Sequence, residues 1–191
     1  MSKAKIRMAM IGGGEGAFIG AIHRIAARLD GMIELVAGAF SSDANKCKAT
    51  GELLGLDSSR CYDSYLTLFA EEAKLPAEER VDFVAIVTPN HLHFPVAKMA
   101  LEHGFHVLSD KPATLSLVEA QQLQEIITKQ GLLYGLTHAY TGYPMVKEAK
   151  QRIKAGELGC IRKVIVEYTQ GWLAQSEDES SKQASWRLDT S

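Results

Sequence analysis

At 191 residues the chain holds one ordinary domain and part of a second, and 46% hydrophobic residues supply a real core and exclude disorder. A formal net charge of −2 and a pI near 6.3 give no electrostatic reason to expect nucleic acid or an anionic membrane as partner. Three scattered cysteines (Cys47, Cys61, Cys160), with no Cys-x-x-Cys pair, read as reduced thiols; no long apolar run follows Met1, so a soluble, cytoplasmic protein without signal peptide or membrane span is expected.

Strand-like and helix-like patterns then alternate. Ile6 to Ile11 is a short apolar run stopping at Gly12-Gly13-Gly14, the pattern of a buried strand. Phe18, Ile22, Ile25, Ala26 and Leu29 form the apolar stripe of a helix, with Gly31 as its C-cap. Ile33 to Phe40 predicts the second strand, and a helix from about Asp43 to Leu54 is closed by Gly55. Tyr65, Leu68 and Phe69 suggest a short third helix. After the polar stretch Pro76 to Arg80, "VDFVAIVTPN" is a strand too apolar to have a wet face, and a helix followed by "FHVLSDKP" repeats the theme. Ser116 and Glu119 make a capping box for the helix carrying Ala120, Leu123, Ile126 and Ile127. Leu132 to Thr137 predicts one more strand, and Pro144 suits the first turn of a helix ending near Ala155-Gly156.

Strands apolar on both faces with helices between them predict an α/β fold, a doubly wound parallel sheet of Rossmann type. Near Gly156 the character changes. Ile161 to Leu173 alternates like a strand with one exposed face, and the chain ends in polar residues. Residues 1–140 are therefore expected to form a nucleotide-binding domain. Residues 141–191 would be a linking helix and the first strand of a second, α+β domain. That strand lacks evident partners, so it is expected to pack on the nucleotide domain, to be poorly ordered or, preferably, to pair with a second copy.

The chemistry collects at strand ends. Gly12, Gly14 and Ala17 fit the Gly-x-Gly-x-x-Gly/Ala spacing that brings backbone amides onto a pyrophosphate at a helix N-terminus, with Phe18 and Ile19 opening the helix. Gly20 is the alternative third glycine, and a plain structural turn is the alternative to the whole site. Beyond the second strand, Asp43 stands where an acid binds the adenosine ribose, but it also suits a helix cap. Ser41, Ser42 and Lys46 suit a 2′-phosphate instead, or simply solvent. Two later strands end in Thr88-Pro89-Asn90 and in Asp110-Lys111-Pro112, beside which a nicotinamide would lie. There Lys111 offers a positive charge and donors for proton transfer with a substrate hydroxyl. His138 and Tyr140, after the last strand, are candidates to face substrate. His91 and His93 have no third ligand in sight, so metal is not expected, and His23, His103 and His106 read as structural.

"GGG…IH", "TPNHLHFPVAKMALEHGFHVLSDKP" and "AGELGCIRKV" together resemble the glucose–fructose oxidoreductase, inositol dehydrogenase and rhizopine-catabolism (Gfo/Idh/MocA) family, from Ile6 to Trp186-Arg187. Its Glu-Lys-Pro signature at the fifth strand's end is matched by Asp110-Lys111-Pro112, with Asp110 a departure. The resemblance implies that Lys111 contacts nicotinamide and substrate and that Thr88, Pro89, Asn90 and His93 line the cofactor groove. Ser41, where NAD-preferring members often carry an acid, favours NADP, with NAD the other candidate. The implied activity is hydride transfer between the nicotinamide and a carbinol carbon of a sugar, cyclitol or related polyol, in a homo-oligomer. Family members continue past the Trp-Arg with an Asp-x-x-x-His pair on a large sheet, so this chain alone is expected to be inactive. The rival reading is a non-catalytic dinucleotide-binding or redox-sensing protein, which would lack that pair.

Overall fold

The apolar runs form five parallel strands in the computed structural model, which describes residues 5–169. These are β1 (Ile6–Gly12), β2 (Ile33–Ala39), β3 (Phe83–Val87), β4 (His106–Ser109) and β5 (Tyr134–Leu136), in the order β2-β1-β3-β4-β5. Helices α1 (Phe18–Arg28), α2 (Ala44–Leu53), α3 (Tyr65–Glu72), α4 (His93–Glu102) and α5 (Leu117–Gln130) connect them, and α6 (Pro144–Lys154) follows. The strand order reverses beside β1, which is the switch point where ligands bind in open parallel sheets. A parallel bridge from Gly38 to Cys61, with the Tyr62 N–H donating to the Gly38 carbonyl at 2.9 Å, is the rudiment of a further strand outside β2. Counted as the third strand, it makes β4 the fifth, the place where the family resemblance puts its signature.

The sheet is apolar on both faces. Val84, Ile86 and Val107 pack with Leu68, Phe69, Val96, Leu101 and Phe105, while Met8, Met10, Ala85 and Val87 pack with Ala27, Phe40 and Cys47. Caps end the loops as the sequence predicts. Ser116 Oγ accepts from the Glu119 N–H, while Glu119 Oε2 accepts from the Ser116 and Leu115 N–H groups.

Two ionic contacts tie distant segments. Glu72, fully buried, accepts from Arg60 Nε at 2.9 Å and Nη2 at 2.5 Å, from the Tyr62 hydroxyl at 3.0 Å and from the Val81 N–H at 3.1 Å. Burial, and then the Glu72 charge, pushes the Tyr62 hydroxyl well above the usual tyrosine pKa, so it stays a donor. Asp82, just before β3, accepts from the backbone N–H of Arg7 at 2.7 Å and from its Nη2 at 2.8 Å. Burial alone would raise the Asp82 pKa, but the Arg7 hydrogen bonds outweigh it and hold the carboxyl below its ordinary value of 3.8. The folded form thus binds this proton more weakly, so the pair stabilises the fold above the ordinary aspartate range and that stability fades as pH falls through the lower folded value. Asp82→Asn should cost about 1 kcal/mol or less near neutrality, because the pair is partly exposed and screened. Urea melts of both proteins from neutral to acid pH should show the difference shrinking below pH ~4.

Two expectations are corrected. The apolar stripe of α1 faces outward, with Phe18 70% and Leu29 81% exposed and Ile22 and Ile25 exposed between them. The helix instead turns its small residues Gly20 and Ala27 to the sheet, where they permit a closer approach than the large side chains would. The strand predicted at Ile161 to Leu173 is not formed over residues 161–169, where Val164, Ile165 and Val166 are exposed. A strand exists only where another backbone accepts its ladder, and no described residue pairs with this one. Its last residues, and the polar tail, lie outside the described region. The chain divides into two compact units between Gly142 and Tyr143. Among the described residues no helix is long and apolar enough to cross a membrane.

Candidate functional site

β1 runs out at Gly12, whose φ of +83° is left-handed and suits only glycine without strain. A Cβ there would sit 2.9 Å from the Val87 carbonyl oxygen, and one at Gly14 would sit 2.8 Å from that of Phe40. The loop is thus nested against the ends of β3 and β2, with no room for side chains. The two registers left open by the sequence are separated by Gly20: a Cβ on it would lie 2.5 Å from the Gly13 Cα. Gly20 makes the close helix–loop contact, while Ala17 is the extended N-cap of α1. That cap offers no side-chain hydrogen bond and the first turn holds no acid, so its amides suit an anion. A dinucleotide pyrophosphate fits this cradle.

Arg24, on the same face as Gly20, donates from Nη1 to the Gly13 carbonyl at 2.8 Å; burial lowers its pKa from the usual arginine value. His23 lies beside it. Burial lowers its pKa, while the charge of Asp110 acts in the opposite direction. Sequence reading missed Gly13 and Arg24 and took His23 as structural. The available signal was a polar, small-residue face (Gly20, His23, Arg24) opposite a louder apolar stripe. Gly20→Ala should destabilise the fold by about 1–3 kcal/mol, the usual range for overpacking, because the obstacle is backbone and cannot rotate away. Denaturant unfolding of the variant measures it.

At the end of β2, Asp43 caps α2: its Oδ1 accepts from the Asn45 N–H at 2.9 Å and the Lys46 N–H at 3.2 Å. Ser41 Oγ accepts from the Asp43 N–H at 3.1 Å. Ser42 and the Lys46 side chain are exposed beside it. The one acid at this tip is therefore engaged by helix amides.

The β3 and β4 tips are neighbours. The Asp110 N–H donates to the Ile86 carbonyl at 2.9 Å, the last rung between these strands. Asp110 Oδ1 accepts the Lys111 N–H at 2.9 Å, so the carboxylate shapes the turn that presents the exposed Lys111 side chain. The Lys111–Pro112 peptide is cis. His93, 1% exposed at the start of α4, sets Nδ1 2.5 Å from the Pro112 carbonyl oxygen and Nε2 3.0 Å from that of Thr88. Thr88 Oγ1 is buried and has no hydrogen-bond partner among the described residues. Pro89 and Asn90 lead through a short 3-10 turn into α4. β5 pairs with β4, so exposed His138 and Tyr140, which follow β5, emerge at the same end of the sheet. Among the described residues no group of three or more His, Cys, Asp or Glu side chains could hold a metal ion.

The model of a family described as an oxidoreductase family with an NAD-binding Rossmann fold matches residues 6–138. An uncharacterised oxidoreductase of Bacillus subtilis, YfiI, is 40% identical over 186 residues, which are 96% of this chain and 47% of that protein. The crystal structure of an inositol dehydrogenase homologue from Azotobacter vinelandii complexed with NAD+ superposes with a TM-score of 0.93 at 39% identity, covering 97% of this chain and 47% of the other. A second structure of an inositol dehydrogenase homologue from that organism, complexed with NADH and myo-inositol, gives a TM-score of 0.80 at 43% identity, covering 83% and 41%. The chain spans about half the length of the curated relatives it matches.

Proposed function

The chain belongs to the Gfo/Idh/MocA oxidoreductase family, with its NAD-binding Rossmann fold, and from that premise we propose that it is the nucleotide-binding part of a dehydrogenase acting on a cyclitol, sugar or related polyol. The observation carrying this reading is that the glycine cradle at the β1–β3 switch point and the Asp110-Lys111-Pro112 tip of β4, next to β3, stand at the same carboxyl edge of the parallel sheet. The myo-inositol held by the 43% identical relative supports a cyclitol as substrate class. When bound, a nicotinamide supplies hydride transfer. The backbones of Gly12, Gly14, Ala17, Phe18 and Ile19 hold the pyrophosphate. Thr88, Pro89, Asn90, His93 and Pro112 form the nicotinamide end. Lys111 orients the substrate hydroxyl and exchanges its proton, Asp110 fixes the turn beneath Lys111, and His138 and Tyr140 face substrate. The homo-oligomer expected from the sequence belongs to the same reading.

For the cofactor, the β2 tip favours NADP. Asp43 is engaged in its cap, while Ser41, Ser42 and Lys46 offer hydroxyls and a cation to a 2′-phosphate. The NAD+ and NADH held by the two relatives favour NAD as a second reading. Fluorescence titration of this chain decides. The first reading expects tighter NADPH than NADH binding, with the preference shrinking as salt rises. Equal affinities, or tighter NADH, give the site to NAD. Failure to bind either dinucleotide overturns the function. In the longer protein, binding without turnover on any polyol or sugar would favour a redox sensor over a dehydrogenase.

A further inference from the structure

We propose that His93 is the positioning residue of this site, a brace whose imidazole joins the carbonyl at the tip of β3 to the carbonyl directly after Lys111 and so fixes where Lys111 stands. The paired register of β3 and β4 ends at Ile86 and Ser109, and the Asp110 N–H to Ile86 bond is the last rung of the ladder. Past that rung the two tips hold Thr88 on one side and Lys111-Pro112 on the other. The His93 ring lies between them, 3.0 Å from the Thr88 carbonyl oxygen and 2.5 Å from that of Pro112. Two carbonyl oxygens can only accept, so they cannot bond each other and need a donor between them.

A neutral imidazole donates to one carbonyl and a doubly protonated one to both. Only the ring with a proton on each nitrogen bonds both oxygens; a neutral ring bonds one and merely fills the space beside the other. The ring cannot drift, because α4 buries Val96, Ala97, Ala100 and Leu101 in the core. A side chain held on a rigid element transmits that rigidity to the loops it touches. With both nitrogens turned to the main chain, His93 acts on the groove through the backbone of its neighbours.

The brace itself rests on geometry; its catalytic meaning rests on the role proposed for Lys111, and the test has one arm for each. Asparagine keeps a donor near the Nδ1 position and glutamine one near Nε2, so each retains one of the two contacts, whereas alanine retains neither. Amide hydrogen exchange on this chain should be faster in His93→Ala by roughly tenfold, the scale of one lost hydrogen bond, at Thr88, Asn90 and residues 109–111. His93→Asn should loosen mainly the β3 tip and His93→Gln mainly the β4 tip, with β1 and β2 unchanged. Unchanged exchange at both tips, or protection lost uniformly across the sheet, overturns the brace. If the alanine variant does not fold, the asparagine and glutamine pair decides the same question. In the longer enzyme, His93→Ala should lower kcat by a larger factor than it raises dinucleotide KM, and should add nothing in a Lys111→Ala background. Full additivity there makes His93 independent of Lys111 and overturns the positioning role. Normal turnover in Lys111→Ala alone would overturn the function instead, leaving the exchange arm to judge the brace.

Discussion

Lys111→Ala in the dehydrogenase proposed to carry this chain should lower kcat/KM by roughly a hundredfold or more, the scale of a lost proton-transfer group, while dinucleotide affinity changes little. Lys111 is exposed at the end of β4, with its N–H bonded to Asp110 Oδ1 and the carbonyl of the following residue, Pro112, against His93. Among the described residues its side chain makes no ion pair, and the proposed role gives its ammonium to substrate. On that proposal truncation removes a contact made during reaction without disturbing the cradle at Gly12 to Gly20. Steady-state kinetics with a cyclitol, together with fluorescence titration of the cofactor, separate the two effects. Near-normal turnover would return the Asp-Lys pair to a role in shaping the turn.

Glu72→Ala should destabilise the domain by about 3–5 kcal/mol, the cost of breaking a buried ion pair from one side. The carboxylate is fully buried and is the common acceptor of Arg60, Tyr62 and the Val81 N–H. Removing it leaves the Tyr62 hydroxyl and the Val81 amide buried without their acceptor, and the partly exposed Arg60 guanidinium without its partner. Those groups come from three segments: the 3-10 turn and bridge strand before α3, and the entry to β3. Their loss should loosen the outer edge of the sheet as well as α3. Chemical denaturation gives the magnitude. A change under 1 kcal/mol would mean that the buried charge was barely compensated to begin with.

Much of this was legible in the chain because the signals are local. Runs apolar on both faces marked the buried strands, and Ser116 with Glu119 marked a helix start, since the cap is made within four residues. What was not legible depends on which surfaces meet. The stripe from Phe18 to Leu29 has helical period, but period cannot say that Gly20 wins the sheet face through closeness of approach. The two functions weighed for Asp43 were equal on sequence, and only its bonds to the Asn45 and Lys46 amides assign the cap. The position of His93 in the groove followed from resemblance, but its double contact joins segments 19 and 5 residues away in opposite directions along the chain. Ile161 to Leu173 alternates correctly for a strand, yet alternation describes a face and supplies no partner.

The order β2-β1-β3 also bears on how the chain reaches its fold. β1 is made first and sits between β2 and β3, but Arg7 and its β3-side partner Asp82 are 75 residues apart in sequence. At synthesis rates of about 5–20 residues per second, one edge of β1 waits roughly 4–15 s for its neighbour. During that interval Met8 and Met10 lie on a half-paired ribbon, and closing so long a loop is the slow kind of contact formation. β1, though made first, is therefore enclosed only once β3 has been made, and the glycine cradle at its end cannot exist before β3 arrives to supply the Val87 carbonyl that it rests against.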